Sequence, residues 1–252
     1  MSSASRFFSV DSTKAIKANA YGYLNAINYM APANTAGAGN LCPHASPGCL
    51  ALCLGWYSGQ SAMISNAELE TGTNATRASR ARKSVQFMHD RKAFFVEMIR
   101  GIESAIRQAK RLGLKLCVRP NGATDIVWES VAPLMFATYS DIQFVDYTKN
   151  YKRMLRFCEG KLPSNYHLTF SRSETNESQC LDVARAGGNV AVVFAEEVKA
   201  QALTQGYLGL PVVDGDLHDL RHLDPKGGFV IALSPKGRKT KSDMSGFVVR
   251  SL

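Results

Sequence analysis

Apolar runs in this 252-residue chain are short, VAVVFA at 190–195 being among the longest. A membrane-spanning helix needs about 20 consecutive apolar residues, so none is expected. The opening MSSASRFFSVDSTKAIK has no apolar signal core, which predicts a cytoplasmic protein rather than a secreted one. Neither G-x-G-x-x-G nor G-x-x-x-x-G-K followed by Ser or Thr occurs, so the familiar nucleotide loops have no support. Repeats, low-complexity tracts and linkers are also missing, and one domain over residues 1–252 is expected. With 45% hydrophobic and 20% charged residues, disorder of the whole chain is excluded.

Charge is present but uneven. Lys and Arg number 30 against 21 Asp and Glu, a net +9. Residues 77–115 hold Arg77, Arg80, Arg82, Lys83, Arg91, Lys92, Arg100, Arg107, Lys110, Arg111 and Lys115, against the acids Asp90, Glu97 and Glu103. A second cluster is Lys236, Arg238, Lys239 and Lys241. Such concentration suits a polyanion, a nucleic acid or a phosphorylated ligand. A solvated helix face explains it equally well.

The second half alternates β-like and helix-like stretches. Strands are predicted at 114–119, 142–146, 166–170, 189–194, 211–213 and 228–233, with a first strand at 23–30. Helices are predicted at 125–138, 150–158, 176–186 and 196–205. A long one is predicted at 84–112, with Phe95, Ile99, Ile102, Ile106 and Ala109 as its apolar stripe. Alternation implies parallel pairing, and about seven strands suit an α/β fold built as a complete or partial TIM-like (β/α) barrel. An open parallel sheet is the alternative. Residues 31–83 read as a loop and helical insertion.

In a parallel barrel the C-terminal strand ends form the active face. The residues just past the predicted strands include Arg119, Asn121, Asp125, Asp146, Tyr147, Thr148, Lys149, Ser171, Arg172, Ser173, Glu174, Glu196, Asp214, Asp216, Ser234 and Lys236. Helix capping accounts as well for Asp125, Thr148 and Thr175. Arg119, Asp146 and Lys236 follow apolar strands directly or nearly so, where a charge is either paired or placed for a ligand. Arg119, Asp146, Lys149, Asp214 and Lys236 are therefore the candidate acid–base groups. Asn121, Asp125, Ser171, Arg172, Ser173 and Asp216 are the candidate substrate contacts.

Six cysteines occur, three of them together in NLCPHASPGCLALCLGW. Cys42, Cys49 and Cys53 have the spacing C-x6-C-x3-C, and a helical turn would put the last two sulfurs on one face. A disulfide is disfavoured in a reducing compartment. Structural zinc needs four ligands, and His44 would be a cramped fourth. Three thiolates suit an iron–sulfur cluster with one iron left open. Three unligated core thiols remain the bland alternative. Cys117, Cys158 and Cys180 read as core residues, with Cys117 the most suitable fourth ligand. Trp56 and Tyr57 are placed to shield a centre from water. His167 reads as a core histidine, and His218 with His222 as a weak metal pair without the glutamate of H-E-x-x-H. Asp214 and Asp216 suit either acid–base work or a turn around Gly215.

A strand followed by a three-cysteine loop and further βα units resembles the radical S-adenosylmethionine superfamily. That resemblance implies a [4Fe–4S] cluster on Cys42, Cys49 and Cys53, with S-adenosylmethionine as a further cofactor. The spacing is six then three residues, where that superfamily has three then two, and no Gly-Gly-Glu stretch follows the second strand. The segments CPHASPGCLALC, RPNGATDIVWE, VDYTK, FSRSETN and VVDGDLHDLRHLDPKGGFVIALSPKG are similar to phage gene product 88-like proteins. This likeness implies a phage-encoded protein acting in a host cytoplasm. An iron–sulfur enzyme acting on a small molecule or nucleotide is the expectation. The alternative is a nucleic-acid-binding protein with a structural metal, contacting phosphates through residues 77–115 and stacking on Trp128, Tyr147 and Tyr151.

Overall fold

A computed structural model describes residues 7–63 and 65–252. Its strands are β1 (Tyr23–Ile27), β2 (Lys115–Arg119), β3 (Gln143–Thr148), β4 (Tyr166–Ser171), β5 (Val190–Val193), β6 (Val212–Asp214) and β7 (Val230–Leu233). They form a seven-stranded sheet in the order β1-β2-β3-β4-β5-β7-β6, and every ladder is parallel. Helix α1 (Thr13–Lys17) precedes β1. Between β1 and β2 lie α2 (Pro47–Ala51), α3 (Leu54–Tyr57), α4 (Asn66–Thr71), α5 (Ala75–His89) and α6 (Arg91–Arg111). Then come α7 (Trp128–Val131), α8 (Pro133–Thr138), α9 (Tyr151–Cys158), α10 (Glu177–Arg185), α11 (Glu196–Gln205) and α12 (Arg238–Lys241).

Side chains alternate across the strands with period two. One face presents Leu24, Ala26, Leu116, Val118, Phe144, Leu168, Phe170, Val190, Val192, Val230 and Ala232 to the helices. There they meet Phe87, Phe94, Met98, Ile102, Met154, Val183 and Val198. Each fully buried large apolar side chain contributes about 1.5–3 kcal/mol, so this layer is the main stabilising core.

The other face is turned inward by curvature. In a flat sheet, six inter-strand steps of about 4.8 Å would separate β1 from β6 by roughly 29 Å. Yet Lys17, just before β1, donates from Nζ to the Asp216 carbonyl just after β6, at 2.8 Å. The Tyr21 and His218 rings are 4.5 Å apart, and those of Tyr23 and His222 5.0 Å. The sheet therefore curls until its edges face each other, with no β1–β6 ladder among the described residues. Inside the curl Leu220 packs with Ala18, Cys117 and Val145.

Several local expectations need correction. The helix expected at 84–112 begins earlier and breaks at Asp90, which closes α5 with its N–H and caps α6 by accepting from Ala93 N at 3.1 Å. The buried stripe of α6 is Phe94, Met98, Ile102, Ala105 and Ala109, offset from the expected one, and Ile99 faces solvent. The helix expected at 125–138 is split into α7 and α8 at Ala132, because a residue before proline avoids the helical region. Cys49 and Cys53 do not share a helix: α2 ends at Ala51, and Cys53 is the N-cap residue of α3. Neither Asp125 nor Thr148 is the N-cap residue of the helix that follows it; those positions belong to Val127 and Asn150.

Candidate functional site

A cavity of about 230 Å³ opens at the C-terminal strand ends. Cys42, Cys49 and Cys53 all line it, with Arg119 from the end of β2, Tyr147 and Thr148 from β3, Lys149 and Ser171. Gly122, Ala123, Thr124 and Asp125 form another wall, and Thr240 and Phe247 come from the C-terminal segment.

Each stretch bearing a cysteine is tied down from elsewhere. Ser46 caps α2 by accepting from Cys49 N at 3.2 Å, and its hydroxyl donates to Glu174 Oε2 at 2.8 Å. Glu174 Oε1 accepts from Gly48 N at 2.7 Å, so a carboxylate from the β4–α10 connection anchors the turn that carries Cys49. A Cβ on Gly48 would lie 2.7 Å from Glu174 Oε2, so a side chain there would push the carboxylate out of its present position. Arg77 donates to the carbonyls of Ser61, Gly72 and Trp56, and Arg80 to that of Gly55. Arg80 also sits 4.7 Å from the Tyr29 ring centroid. These guanidiniums secure the chain just after Cys53.

The sulfurs themselves receive polar contacts. Cys42 Sγ accepts from Ala33 N at 3.2 Å. Burial pushes the Cys42 thiol up to about 12, and negative charge on Cys53 and Cys49 adds to the rise. Burial likewise pushes Cys53 up to about 11, opposed by the backbone N–H groups of Gly55 and Trp56 and by the Lys149 charge. Without a cation these two groups are protonated thiols; a bound cationic core reverses that preference and turns them into thiolate ligands. Among the described residues, no three His, Cys, Asp or Glu side chains close around a single ion. Three cysteines on one cavity wall, with N–H groups directed at two of them, fit the donor set of a cluster.

The remaining candidates fall into separate groups. Asp125 accepts from Thr148 Oγ1 at 2.8 Å and Lys149 N at 2.9 Å, and pairs with Arg153 at 3.3 Å. Asp146 faces the helix layer and does not line the cavity; it accepts from Asn121 N, Asn121 Nδ2 and Tyr166 Oη at 2.8, 2.9 and 2.6 Å. Asn121 also accepts from Thr124 Oγ1, Ile126 N and Trp128 Nε1, so its amide organises the loop after β2. Arg119 pairs with Asp219 at 2.6 Å and lies 4.7 Å from the Tyr147 ring centroid. Asp214 and Asp216 bind Lys199 at 2.5 and 2.9 Å, and Lys236 reaches Asp216 at 3.1 Å. Arg172 donates to the carbonyls of Gly246 and Phe247. Ser173 is buried, with its N–H on Asn176 Oδ1.

Cys117 packs with Val145 and Leu220 and is not part of the cavity wall. Trp56 lies under Arg77, and Lys239 Nζ stands 3.8 Å from the Tyr57 ring centroid. Sequence reasoning missed Glu174 as an anchor and Lys199 as the partner of two acids. It also missed the inward turn of Arg77, Arg80 and Lys83, which are buried, although their spacing of three on α5 was a usable signal. Trp128 is fully buried and unavailable for base stacking. The exposed cations of the basic segment are concentrated on α6. No helix among the described residues is long and apolar enough to cross a membrane.

The family model described as gene product 88 matches residues 6–251. No curated protein and no solved structure matches the chain.

Proposed function

The chain belongs to the gene product 88 family of phage proteins, and from that premise and the cysteine-lined cavity we propose that it is an iron–sulfur enzyme of the host cytoplasm. A [4Fe–4S] cluster would be held by Cys42, Cys49 and Cys53 at one end of a partial β/α barrel. The supporting observation is that all three cysteines line one cavity together with Arg119 and Lys149. Bound there, a three-thiolate cluster supplies an open iron for Lewis-acid, sulfur-holding or one-electron chemistry.

The chain's own groups define what sits beside it. Lys149 brings a cation to the cavity wall, 5.5 Å from the Phe247 ring centroid, and suits an anionic substrate group. Arg119 is held in place by Asp219, and the Ser171 side chain adds a hydroxyl. Leu52, Val193, Leu233 and Phe247 make the rest of the wall apolar, which limits water. S-adenosylmethionine is not part of this proposal, since the segment after β2 is used by Asn121 to build its own turn.

Anaerobic purification tests the reading. The expected product is brown, with about four iron and four sulfide per chain, both lost when Cys42, Cys49 and Cys53 are changed to alanine. A colourless protein with stoichiometric zinc would reject it in favour of a structural metal. Basic residues on α6 would then make nucleic-acid binding the leading reading.

A further inference from the structure

The two sides of α6 face different surroundings. Its apolar stripe, Phe94, Met98, Ile102, Ala105 and Ala109, is buried in the main core. The opposite side carries Lys92, Arg100, Arg107, Lys110 and Arg111, all exposed. They recur at steps of seven or eight residues and then three or four, which keeps them on one face. At about 1.5 Å per residue, the ridge they form is roughly 28 Å long.

The fold does not neutralise this ridge. Among the described residues, none of these side chains forms an ion pair or a hydrogen bond. The two acids of the helix are turned to other partners: Glu97 accepts from Gln86 Nε2 at 3.1 Å, and Glu103 from Tyr139 Oη at 3.0 Å. The helix macrodipole favours Lys110 and Arg111 in the last turn but opposes cations in the first. Yet Arg91 and Lys92 open the helix, with no acid in that turn beyond the cap residue Asp90. Arg91 is seated over the Phe87 ring, 4.9 Å from its centroid. Lys92, Arg100 and Arg107 stand where neither pairing nor the dipole calls for a cation.

The chemistry of the face selects the partner. A lipid surface takes up the apolar side of a helix, and in α6 that side is already buried. Val96 and Ile99 are isolated exposed aliphatics among the cations. A single-stranded nucleic acid needs aromatic side chains on which its bases stack. Phe94 is fully buried and Phe95 packs on the core, so the outer face of α6 offers none. A rigid row of unpaired cations without stacking groups fits the backbone of a duplex. At about 3.4 Å per base pair, the ridge matches roughly eight pairs.

We infer that the outer face of α6 is a docking surface for the phosphate backbone of duplex nucleic acid, contacted by Lys92, Arg100, Arg107, Lys110 and Arg111 without reading of the bases. The surface is separate from the cysteine cavity and acts whatever Cys42, Cys49 and Cys53 hold.

Fluorescence anisotropy with the full chain as purified and a labelled DNA duplex of about 20 base pairs tests the surface, since such a duplex exceeds the length of the ridge. A matching RNA duplex is run beside it, and binding of either duplex in the expected way supports the inference. Between about 50 and 200 mM salt, log K should fall against log salt with a slope of about −4.5, the counterion release of five contacts. Arg100→Gln combined with Arg107→Gln removes two exposed side chains; binding should weaken and the slope flatten by about two. Lys152→Gln combined with Arg156→Gln takes the same charge from exposed positions on α9 and should leave the slope unchanged. Equal losses from both pairs would reduce the effect to net charge and overturn the inference. Tighter binding of the matching single strand would overturn it as well, as would binding to phosphatidylserine vesicles with both duplexes ignored.

Discussion

The two faces of β3 and β4 handle buried polarity in opposite ways. Toward the helices, Asp146 accepts three hydrogen bonds, and Tyr166, which supplies one, accepts in turn from Arg153 at 2.7 Å. Arg153 closes the network on Glu129 at 2.7 Å and Asp125 at 3.3 Å. Toward the interior of the curl, His167 Nε2 and Thr169 Oγ1 have no partner, nor does the Asn25 side chain on β1. A saturated network fixes a scaffold, whereas each unpartnered buried group costs stability.

Arg153→Ala should break the saturated side most severely. It would leave Glu129 and Asp125 buried without their cation, at a cost of about 3–5 kcal/mol in urea unfolding. A loss near zero would mean that the network is ornamental and the contrast false. Asp146→Asn probes the same side through pH. Burial pushes the Asp146 carboxyl up to about 7, above the unfolded value of about 3.9. The folded state therefore holds a proton that the unfolded chain releases, and this group's stabilisation is full below about pH 4 and declines toward pH 7. The stability of the Asn variant relative to wild type should rise across that window and level off above it; a pH-independent difference would contradict the assignment. Thr169→Val sharpens the other side. Replacing an unpartnered buried hydroxyl by an isosteric methyl should leave stability unchanged or raise it by up to about 1 kcal/mol. A marked loss would show that the hydroxyl has a partner.

The strand pattern was readable from sequence because buried parallel strands are short apolar runs between turn signals, as in residues 189–194 and 228–233. The exchange of β6 and β7 in the sheet was not readable, since pairing order depends on long-range packing. The cysteines were legible as a group because one short segment carries all three. Their support was not, because Glu174 acts on Gly48 across 126 residues of sequence. Asp146 shows the limit of reading strand ends: Val145 and Tyr147 face inward, so period two directs the residue between them to the helix layer, away from the cavity.

The Glu174–Gly48 contact also orders events in time. Ribosomes add about 5–20 residues per second, so a span of 126 residues takes roughly 6–25 s to synthesise. During that interval the cysteine segment has emerged, but the carboxylate that anchors its turn has not yet been made. A nascent protein truncated before β4 would keep the Arg77 and Arg80 contacts just after Cys53 but lack the carboxylate that anchors the turn carrying Cys49.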